Sequence, residues 1–147
     1  MTTTVLYADD DPEDRMLTEE AFEEAFEASN LSVQLQFVED GEELMDYLQN
    51  SGKFSDNKKF PTPDLILLDL NMPKKDGREC LKEIKDNVHL KKIPVVVLTT
   101  SNDEEDVIKT YNLGVSSFIT KPVTFESMVE VVESLNKYWF QVVRLPH

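Results

Sequence analysis

Two uninterrupted apolar runs constrain the fold of this chain more than any other feature of its sequence. Leu65–Leu68 and Val95–Leu98 contain apolar residues only, whereas a strand with one solvent-exposed face alternates apolar with polar residues. Continuous apolar runs of this length are typical of central strands in a parallel sheet that helices cover on both faces. The two runs therefore predict an α/β fold.

The rest of the sequence supplies three more predicted strands, and a helical pattern follows every strand. Thr4–Ala8 is β-prone, the region around Leu35 alternates apolar with polar residues, and Ser117–Thr120 predicts the fifth strand. Five strands that alternate with five helices indicate a parallel sheet built from right-handed βαβ units. A chain of 147 residues suits one such domain, so residues 1–147 are predicted to form a single domain with an extended C-terminal helix and tail over about 124–147.

Local signals predict where several helices begin and end. Asp11 precedes Pro12 and predicts the N-cap of the first helix. Asp40 and Glu43 have the spacing of an N-cap and its reciprocal partner. In the third helix, the apolar side is predicted to continue as far as Val88.

Charge and composition exclude several classes of function. Lys and Arg number 15 and Asp and Glu number 29, so the formal net charge of −14 would repel a nucleic acid. No apolar run approaches the ~18 residues of a membrane span, and the N-terminus lacks the basic and apolar regions of a signal peptide. Cys80 is the single cysteine, so no intrachain disulfide is expected. We therefore expect a cytoplasmic protein without nucleic-acid or membrane partners.

Polar residues follow four of the predicted strands at the point where each strand ends. Asp9 and Asp10 follow the first strand, Asp69 the third, Thr99 the fourth and Lys121 the fifth. In open parallel sheets, ligands bind beyond the carboxyl ends of the strands, where the strand order reverses. We therefore expect these five side chains to meet at one edge of the sheet.

The residue types at this edge predict a cation and a phosphoryl group. Crowded carboxylates repel one another, and a hard cation such as Mg²⁺ with oxygen ligands relieves that repulsion. Asp9 and Asp10 would hold the cation, and Asp69 could attack phosphorus to give an aspartyl phosphate. Lys121 and Thr99 would donate hydrogen bonds to the phosphoryl oxygens.

Structural explanations exist for each of these residues taken alone. An aspartate after a strand is often a helix N-cap, and this is the predicted role of Asp11. Lys121-Pro122 by itself is an ordinary loop pair, and Cys80 is expected to pack on a helix face. The conjunction of such residues after four different strands favours the functional interpretation.

The chain resembles the receiver domain of two-component response regulators over nearly its whole length. Four motifs carry the resemblance, in the same order and at similar separations: Val5–Pro12, Leu67–Pro73 with Asp76-Gly77, Pro94–Thr100, and Phe118–Pro122. The resemblance implies a flavodoxin-like, doubly wound five-stranded parallel sheet of (βα)5 type with strand order 2-1-3-4-5.

The resemblance also implies a role for each residue of the predicted site. Asp69 resembles the phosphoacceptor, and Lys121 resembles the lysine that pairs with the phosphoryl group. The ligands of Mg²⁺ or Mn²⁺ would be Asp9, Asp10, Asp69 and the backbone carbonyl of Asn71. Such a domain assists its own phosphorylation and dephosphorylation but is not an enzyme with an external substrate.

Two further residues resemble the family's switch. Thr99 resembles the hydroxyl that moves toward the phosphoryl group, and Phe118 resembles the aromatic side chain that then turns inward. In the family, this change remodels the face formed by the fourth helix, the fifth strand and the fifth helix. At the position of Phe118 the family frequently has a tyrosine. Thr100 is bulkier than the smallest residue that the family has at its position.

Only 25 residues follow Pro122, so we expect a single-domain regulator without a separate output domain. Tyr138 and Phe140 flank the apolar stripe of the last helix and predict a partner surface, either of a homodimer or for a kinase. For Tyr138, folding back of the chain end onto the domain is an equal alternative.

Softer patterns resemble the subgroup of regulators paired with phytochrome histidine kinases: Gly52–Pro63, Pro73–Glu79, Ile93–Ser101, and the tail ending at Leu145-Pro146. The resemblance implies a phytochrome-type kinase as partner and dimerisation through the face of the fourth helix, fifth strand and fifth helix. Two other functions stay open, a Mg²⁺-dependent phosphohydrolase with Asp69 as nucleophile and an adaptor that works without phosphorylation.

Overall fold

The computed structural model describes residues 2–27, 32–100 and 104–137 as a five-stranded sheet with helices on both faces. Its elements, in chain order, are β1 Thr2–Ala8, α1 Pro12–Phe26, β2 Ser32–Val38, α2 Gly41–Leu48, β3 Leu65–Leu68, α3 Gly77–Asp86, β4 Val95–Thr99, α4 Glu104–Asn112, β5 Ser117–Thr120 and α5 Phe125–Leu135. All strands are parallel, and their order is β2-β1-β3-β4-β5. The predicted fold and strand order are confirmed.

The two apolar runs are the middle of the sheet. Every residue of β3 and β4 is buried, because alternate side chains enter two hydrophobic layers on opposite faces. Ile66 belongs to the same hydrophobic layer as Leu81 and Ile84 of α3, whereas Leu67 belongs to the layer on the other face, with Met128 of α5. Each fully buried aliphatic side chain of this kind contributes about 1.5–3 kcal/mol relative to an exposed one.

Side-chain caps fix the helix starts that follow the strands. The Asp11 carboxylate accepts a hydrogen bond from the Glu13 backbone N–H, as predicted for the α1 N-cap. The Asp40 carboxylate accepts from Glu43 N at 2.8 Å, and the Glu43 carboxylate in turn accepts from Glu39 N at 3.0 Å. The reciprocal bond of the α2 cap therefore reaches the residue before the N-cap.

The prediction that the apolar side of α3 extends to Val88 is wrong. The helix ends at Asp86, and Val88 is 67% exposed. Asn87 stops the helix, because its side-chain oxygen accepts hydrogen bonds from the backbone N–H groups of His89 and Leu90.

The polar stretch between α2 and β3 is anchored by aromatic side chains. Tyr47, Phe54 and Phe60 form a three-ring cluster with centroids 5.0–5.8 Å apart. The Asn50 side chain donates to the carbonyls of Phe54 and Phe60. These contacts hold the loop against the face of the domain that carries α2.

The predicted interface residues Tyr138 and Phe140, and the far end of the predicted last helix, lie outside the described residues. Among the helices of the described ranges, none combines the length and apolar character that crossing a membrane requires.

Candidate functional site

The carboxyl ends of four strands bring the predicted side chains together. β1 lies beside β3, and the Asp69 backbone N–H donates to the carbonyl of Ala8, the residue before Asp9. At the pairing of β4 with β5, the Lys121 backbone N–H donates to the carbonyl of Thr99. Parallel pairing thus aligns residues that are far apart in sequence at one edge of the sheet.

Three carboxylates at this edge could share one metal ion. Asp9, Asp10 and Asp69 each offer an oxygen atom, and these atoms lie within 4.8 Å of one another. Asp9 and Asp69 are buried, whereas Asp10 is exposed and borders solvent. Carboxylate oxygens on a partly open site fit a small hard cation such as Mg²⁺ or Mn²⁺, which retains several waters.

The two oxygens of Asp69 have different partners. Oδ1 accepts hydrogen bonds from the Thr99 hydroxyl at 2.8 Å and from Asn71 N at 3.1 Å. Oδ2 accepts from Lys121 Nζ at 3.0 Å. The Asn71 side chain also donates to the Thr99 hydroxyl at 3.4 Å. These partners fix the orientation of a carboxylate that is only 4% exposed.

Asp9 accepts hydrogen bonds from several groups, and one of its partners, Tyr7, was not predicted from the sequence. The Tyr7 hydroxyl donates to Asp9 Oδ2 at 2.6 Å, and Asp11 N donates to Oδ1 at 3.0 Å. Arg15 Nη1 donates to the Asp9 carbonyl at 2.7 Å. Burial, followed by the charge of Asp9, raises the pKa of Tyr7 far above its ordinary value, so the hydroxyl stays a donor. Residues two apart on a strand share a face, and that spacing could have identified Tyr7.

Lys121 is the positive centre of the site. Its ammonium group donates to three carboxylates: Asp9 at 2.7 Å, Asp14 at 2.8 Å and Asp69 at 3.0 Å. Burial opposes the charge, but the hydrogen bonds to Asp14 and Asp9 and the charge of Asp69 outweigh it, so the pKa of Lys121 lies above its ordinary value. The contact between Asp14 and Lys121 is not predicted from the sequence and is an addition to the predicted site.

A glycine allows close packing behind Asp69. A Cβ atom on Gly77 would lie 2.5 Å from the Asp69 carbonyl oxygen and 2.7 Å from Leu70 Cα. Gly77 N also donates to the Leu70 carbonyl at 3.0 Å. The first residue of α3 therefore supports the backbone that presents Asp69.

An arginine missed in the sequence connects this backbone to α4. Arg78 donates through Nε and Nη2 to both oxygens of Asp106 at 2.6 Å, and through Nη1 to Asp76 at 3.0 Å. Nη1 also donates to the Leu70 carbonyl at 3.4 Å. The segment after Asp69 and the helix α4 are thus joined by a bidentate ion pair.

Phe118, the predicted switch aromatic, lies on β5 next to α4. Its side chain is partly buried and packs against the hydrophobic layer that contains α2 and α3. The Phe118 backbone N–H donates to the Tyr111 hydroxyl of α4 at 3.2 Å. Phe118 and Thr99 lie on neighbouring strands, where Val97 pairs with Phe118 and Thr99 pairs with Thr120. Their switch roles stay predictions.

Comparisons with known proteins agree on one family. The response regulator receiver domain matches residues 5–133 of this chain. Response regulator Rcp1 of Synechocystis sp. is 42% identical over 134 residues, which cover 91% of this chain and 89% of Rcp1.

Two solved structures are similar over essentially their full length. The Mn²⁺-bound form of Rcp1 is 41% identical, with a TM-score of 0.85 and 99% of each chain covered. The phosphorylated cyanobacterial phytochrome response regulator RcpA is 38% identical, with a TM-score of 0.90 and 100% of each chain covered. The chain is therefore similar to regulators of the phytochrome type.

Proposed function

The chain belongs to the response regulator receiver domain family, and from this membership we propose that it is a phosphorylation-switched regulator with Asp69 as phosphoacceptor. The phosphoryl donor would be the phosphohistidine of a sensor kinase. The observation that carries the proposal is the environment of Asp69, a buried carboxylate between Lys121 and Thr99 at the carboxyl end of the sheet.

The proposed transfer is a displacement at phosphorus. An Asp69 carboxylate oxygen forms the new O–P bond while the N–P bond of the phosphohistidine breaks. The electron pair of that bond stays on the imidazole nitrogen, which takes a proton from solvent. Lys121 and Thr99 already donate to the two Asp69 oxygens, so their N–H and O–H groups are close to where phosphoryl oxygens would arrive.

A divalent cation would be held by Asp9, Asp10 and Asp69, with the Asn71 carbonyl as a further proposed ligand. When bound, the cation neutralises charge on the phosphoryl oxygens and orients the acceptor. The Mn²⁺ in the related Rcp1 structure supports a divalent ion at this edge, and we propose Mg²⁺ or Mn²⁺ for this chain.

We propose that the signal is read from the domain's own surface. The Thr99 hydroxyl would move toward the phosphoryl group, and Phe118 would turn inward into the space that this movement opens. The affected face would consist of α4, β5 and α5, and a homodimer through this face would respond to phosphorylation. Tyr138 and Phe140 stay candidates for the same interface.

The kinase partner is proposed from the relatives. RcpA is described as a phytochrome response regulator, and RcpA and Rcp1 cover nearly the whole of this chain. We therefore propose a phytochrome-type histidine kinase as donor. Transfer from a panel of purified kinases would test the choice, and a consistent preference for kinases of another sensor class would contradict it.

Labelling with a radioactive phosphodonor tests the acceptor. Wild type should incorporate hydroxylamine-labile phosphate, as expected of an acyl phosphate, in the presence of Mg²⁺, and Asp69→Asn should incorporate none. Asp46→Asn, an exposed aspartate of α2, is the matched control and should label like wild type. Equal labelling of Asp69→Asn and wild type would exclude Asp69 as acceptor. Rapid turnover of a phosphate monoester would instead favour a hydrolase.

A further inference from the structure

The carboxylate of Asp14 contacts Lys121 without belonging to the proposed metal site. Asp14 Oδ2 lies 2.8 Å from Lys121 Nζ, between the distances of 2.7 Å for Asp9 and 3.0 Å for Asp69. Among the described residues, the carboxylates able to share one ion are Asp9, Asp10 and Asp69, and that group does not include Asp14. Asp14 therefore bonds the lysine without being one of the carboxylates that could share the ion.

The ammonium group of a lysine has three hydrogen-bond donors and no acceptor. Three carboxylates already take these donors in the structure. A phosphoryl oxygen can bond Lys121 only if one carboxylate gives up its hydrogen bond. A cation would draw charge from Asp9 and Asp69, which are its proposed ligands, but it would not weaken the hold of Asp14.

We propose that Asp14 is a positioning residue that retains Lys121 and competes with the phosphoryl group for its ammonium. The inference rests on the proposed function, because it concerns the same transfer to Asp69. Its consequence is a restraint on phosphorylation: the lysine is kept charged and close, but only partly available to the phosphoryl oxygens.

The capping needs of α1 do not explain the position of Asp14. The N-cap of this helix is Asp11, and Glu13 also carries negative charge in the first turn. The Asp14 side chain is 28% exposed and yet is turned onto a lysine that follows β5, 107 residues later in the chain. An aspartate that only interacts with the dipole at the N-terminus of a helix needs no lysine from a distant strand end as a partner.

The test is a cycle of four proteins: wild type, Asp14→Asn, Lys121→Gln and the double variant. The rate constant of Asp69 phosphorylation by phosphoramidate is measured at saturating Mg²⁺. Asp14→Asn should raise it by about threefold to tenfold, the range of one partly exposed charge-assisted hydrogen bond. In the Lys121→Gln background, the same change should alter the rate by less than about twofold.

A second measurement is needed if phosphorylation of the Lys121→Gln variant is too slow to follow. Beryllofluoride mimics a phosphoryl group on a carboxylate, so its dissociation constant with Mg²⁺ reports the same competition without turnover. Asp14→Asn should tighten its binding by a similar factor, and only when Lys121 is present. Glu13→Gln, an exposed carboxylate in the same helical turn, is the control and should change neither quantity.

Each other outcome overturns the inference. An equal gain in both backgrounds would mean that Asp14 only repels the anionic donor. No change, or a slower reaction, would mean that Asp14 tethers α1 to the segment after β5 without competing for Lys121. Failure of wild type to label, or labelling of Asp69→Asn, would instead refute the proposed function, so the two failures are distinguishable.

Discussion

The Thr99 hydroxyl donates a 2.8 Å hydrogen bond to Asp69 Oδ1 across two neighbouring buried strands. Thr99 has no exposed surface, and Asp69 is only 4% exposed. The hydroxyl is therefore in direct contact with the proposed acceptor. A change at Asp69 is expected to act on this hydrogen bond directly, as it would on those from Asn71 and Lys121.

Replacing Thr99 with valine keeps the shape of the side chain but removes this donor. We expect Thr99→Val to lose about 1–2 kcal/mol of unfolding free energy, because a buried carboxylate oxygen loses a partner. We also expect the amide chemical shifts of β5 to stop responding to phosphodonor. Thr99→Ser keeps the hydroxyl and should retain the response. A full response in Thr99→Val would contradict the coupling.

A divalent cation should stabilise the folded protein by binding the carboxylates that repel one another. At a free concentration of about 100 times its dissociation constant, the gain is about 2.7 kcal/mol. Asp10→Asn removes one proposed ligand and should weaken cation binding roughly tenfold, which a thermal melt titrated with Mg²⁺ would measure. Chelator should abolish the gain. Asp46→Asn should bind like wild type, and an equal Mg²⁺ response in Asp10→Asn would exclude Asp10 as a ligand.

Gly77→Ala should damage both stability and the site. The added Cβ would meet the Asp69 carbonyl oxygen at 2.5 Å, so the backbone next to Asp69 must shift. We expect a loss of about 1–3 kcal/mol, as for overpacking elsewhere. Cation affinity should fall as well. Glu79→Ala, an exposed position of the same helix, should change neither, as urea unfolding and a Mg²⁺ titration would show.

Tyr47 predicts a loss of stability at alkaline pH. Burial raises the pKa of Tyr47 from 10.0 to about 12. The contribution of the neutral hydroxyl to the free energy of unfolding is therefore complete below pH 10 and is lost as the pH rises toward 12. Tyr47→Phe should cost about 1 kcal/mol at pH 7, because the 2.9 Å hydrogen bond to the Pro61 carbonyl disappears.

The difference between wild type and Tyr47→Phe should then shrink above pH 10 in urea unfolding. Both proteins should still lose stability there, because burial also raises the pKa of Cys80 from 9.0 to about 12. A difference that stays constant from pH 7 to pH 11 would contradict the assignment to Tyr47.

Arg78→Lys keeps the positive charge but loses the bidentate geometry with Asp106. The arginine side chain is one-third exposed, so we expect a cost of only about 1 kcal/mol. Amides of α4 should exchange hydrogen faster than in wild type. The control is Lys82→Gln, an exposed position on α3, the helix that carries Arg78. It should leave the exchange rates of the α4 amides unchanged. Unaltered exchange in Arg78→Lys would mean that the ion pair does not restrain α4.

The sequence was sufficient to predict a parallel sheet and to place the residues that follow each strand at its carboxyl edge. Apolar runs such as Leu65–Leu68 are typical of strands that are covered on both faces in a parallel sheet, and the residue after such a strand lies at the carboxyl edge of the sheet. This is why Asp9 and Asp69 could be placed together. The strand order itself came from the family resemblance.

The missed contacts depend on how distant elements pack. Asp14 meets Lys121 only because α1 begins beside the end of β5, and Arg78 meets Asp106 only because α3 begins beside α4. Helical spacing within one element carries no information about such pairs. Val88 was misplaced for a local reason, because the periodic pattern continues past the turn that Asn87 makes.

The hydrogen bond between Lys121 and Asp9 also has a consequence for the order in which the molecule is built. The two residues are 112 positions apart, so a chain growing from its N-terminus holds its aspartates long before their lysine is synthesised. Until β5 docks, the carboxylates repel one another without a counter-charge, and contacts of such large sequence separation form late in folding. The proposed phosphorylation site is therefore incomplete until β5 has paired with β4, so the full set of contacts around Asp69 depends on nearly the whole of the chain.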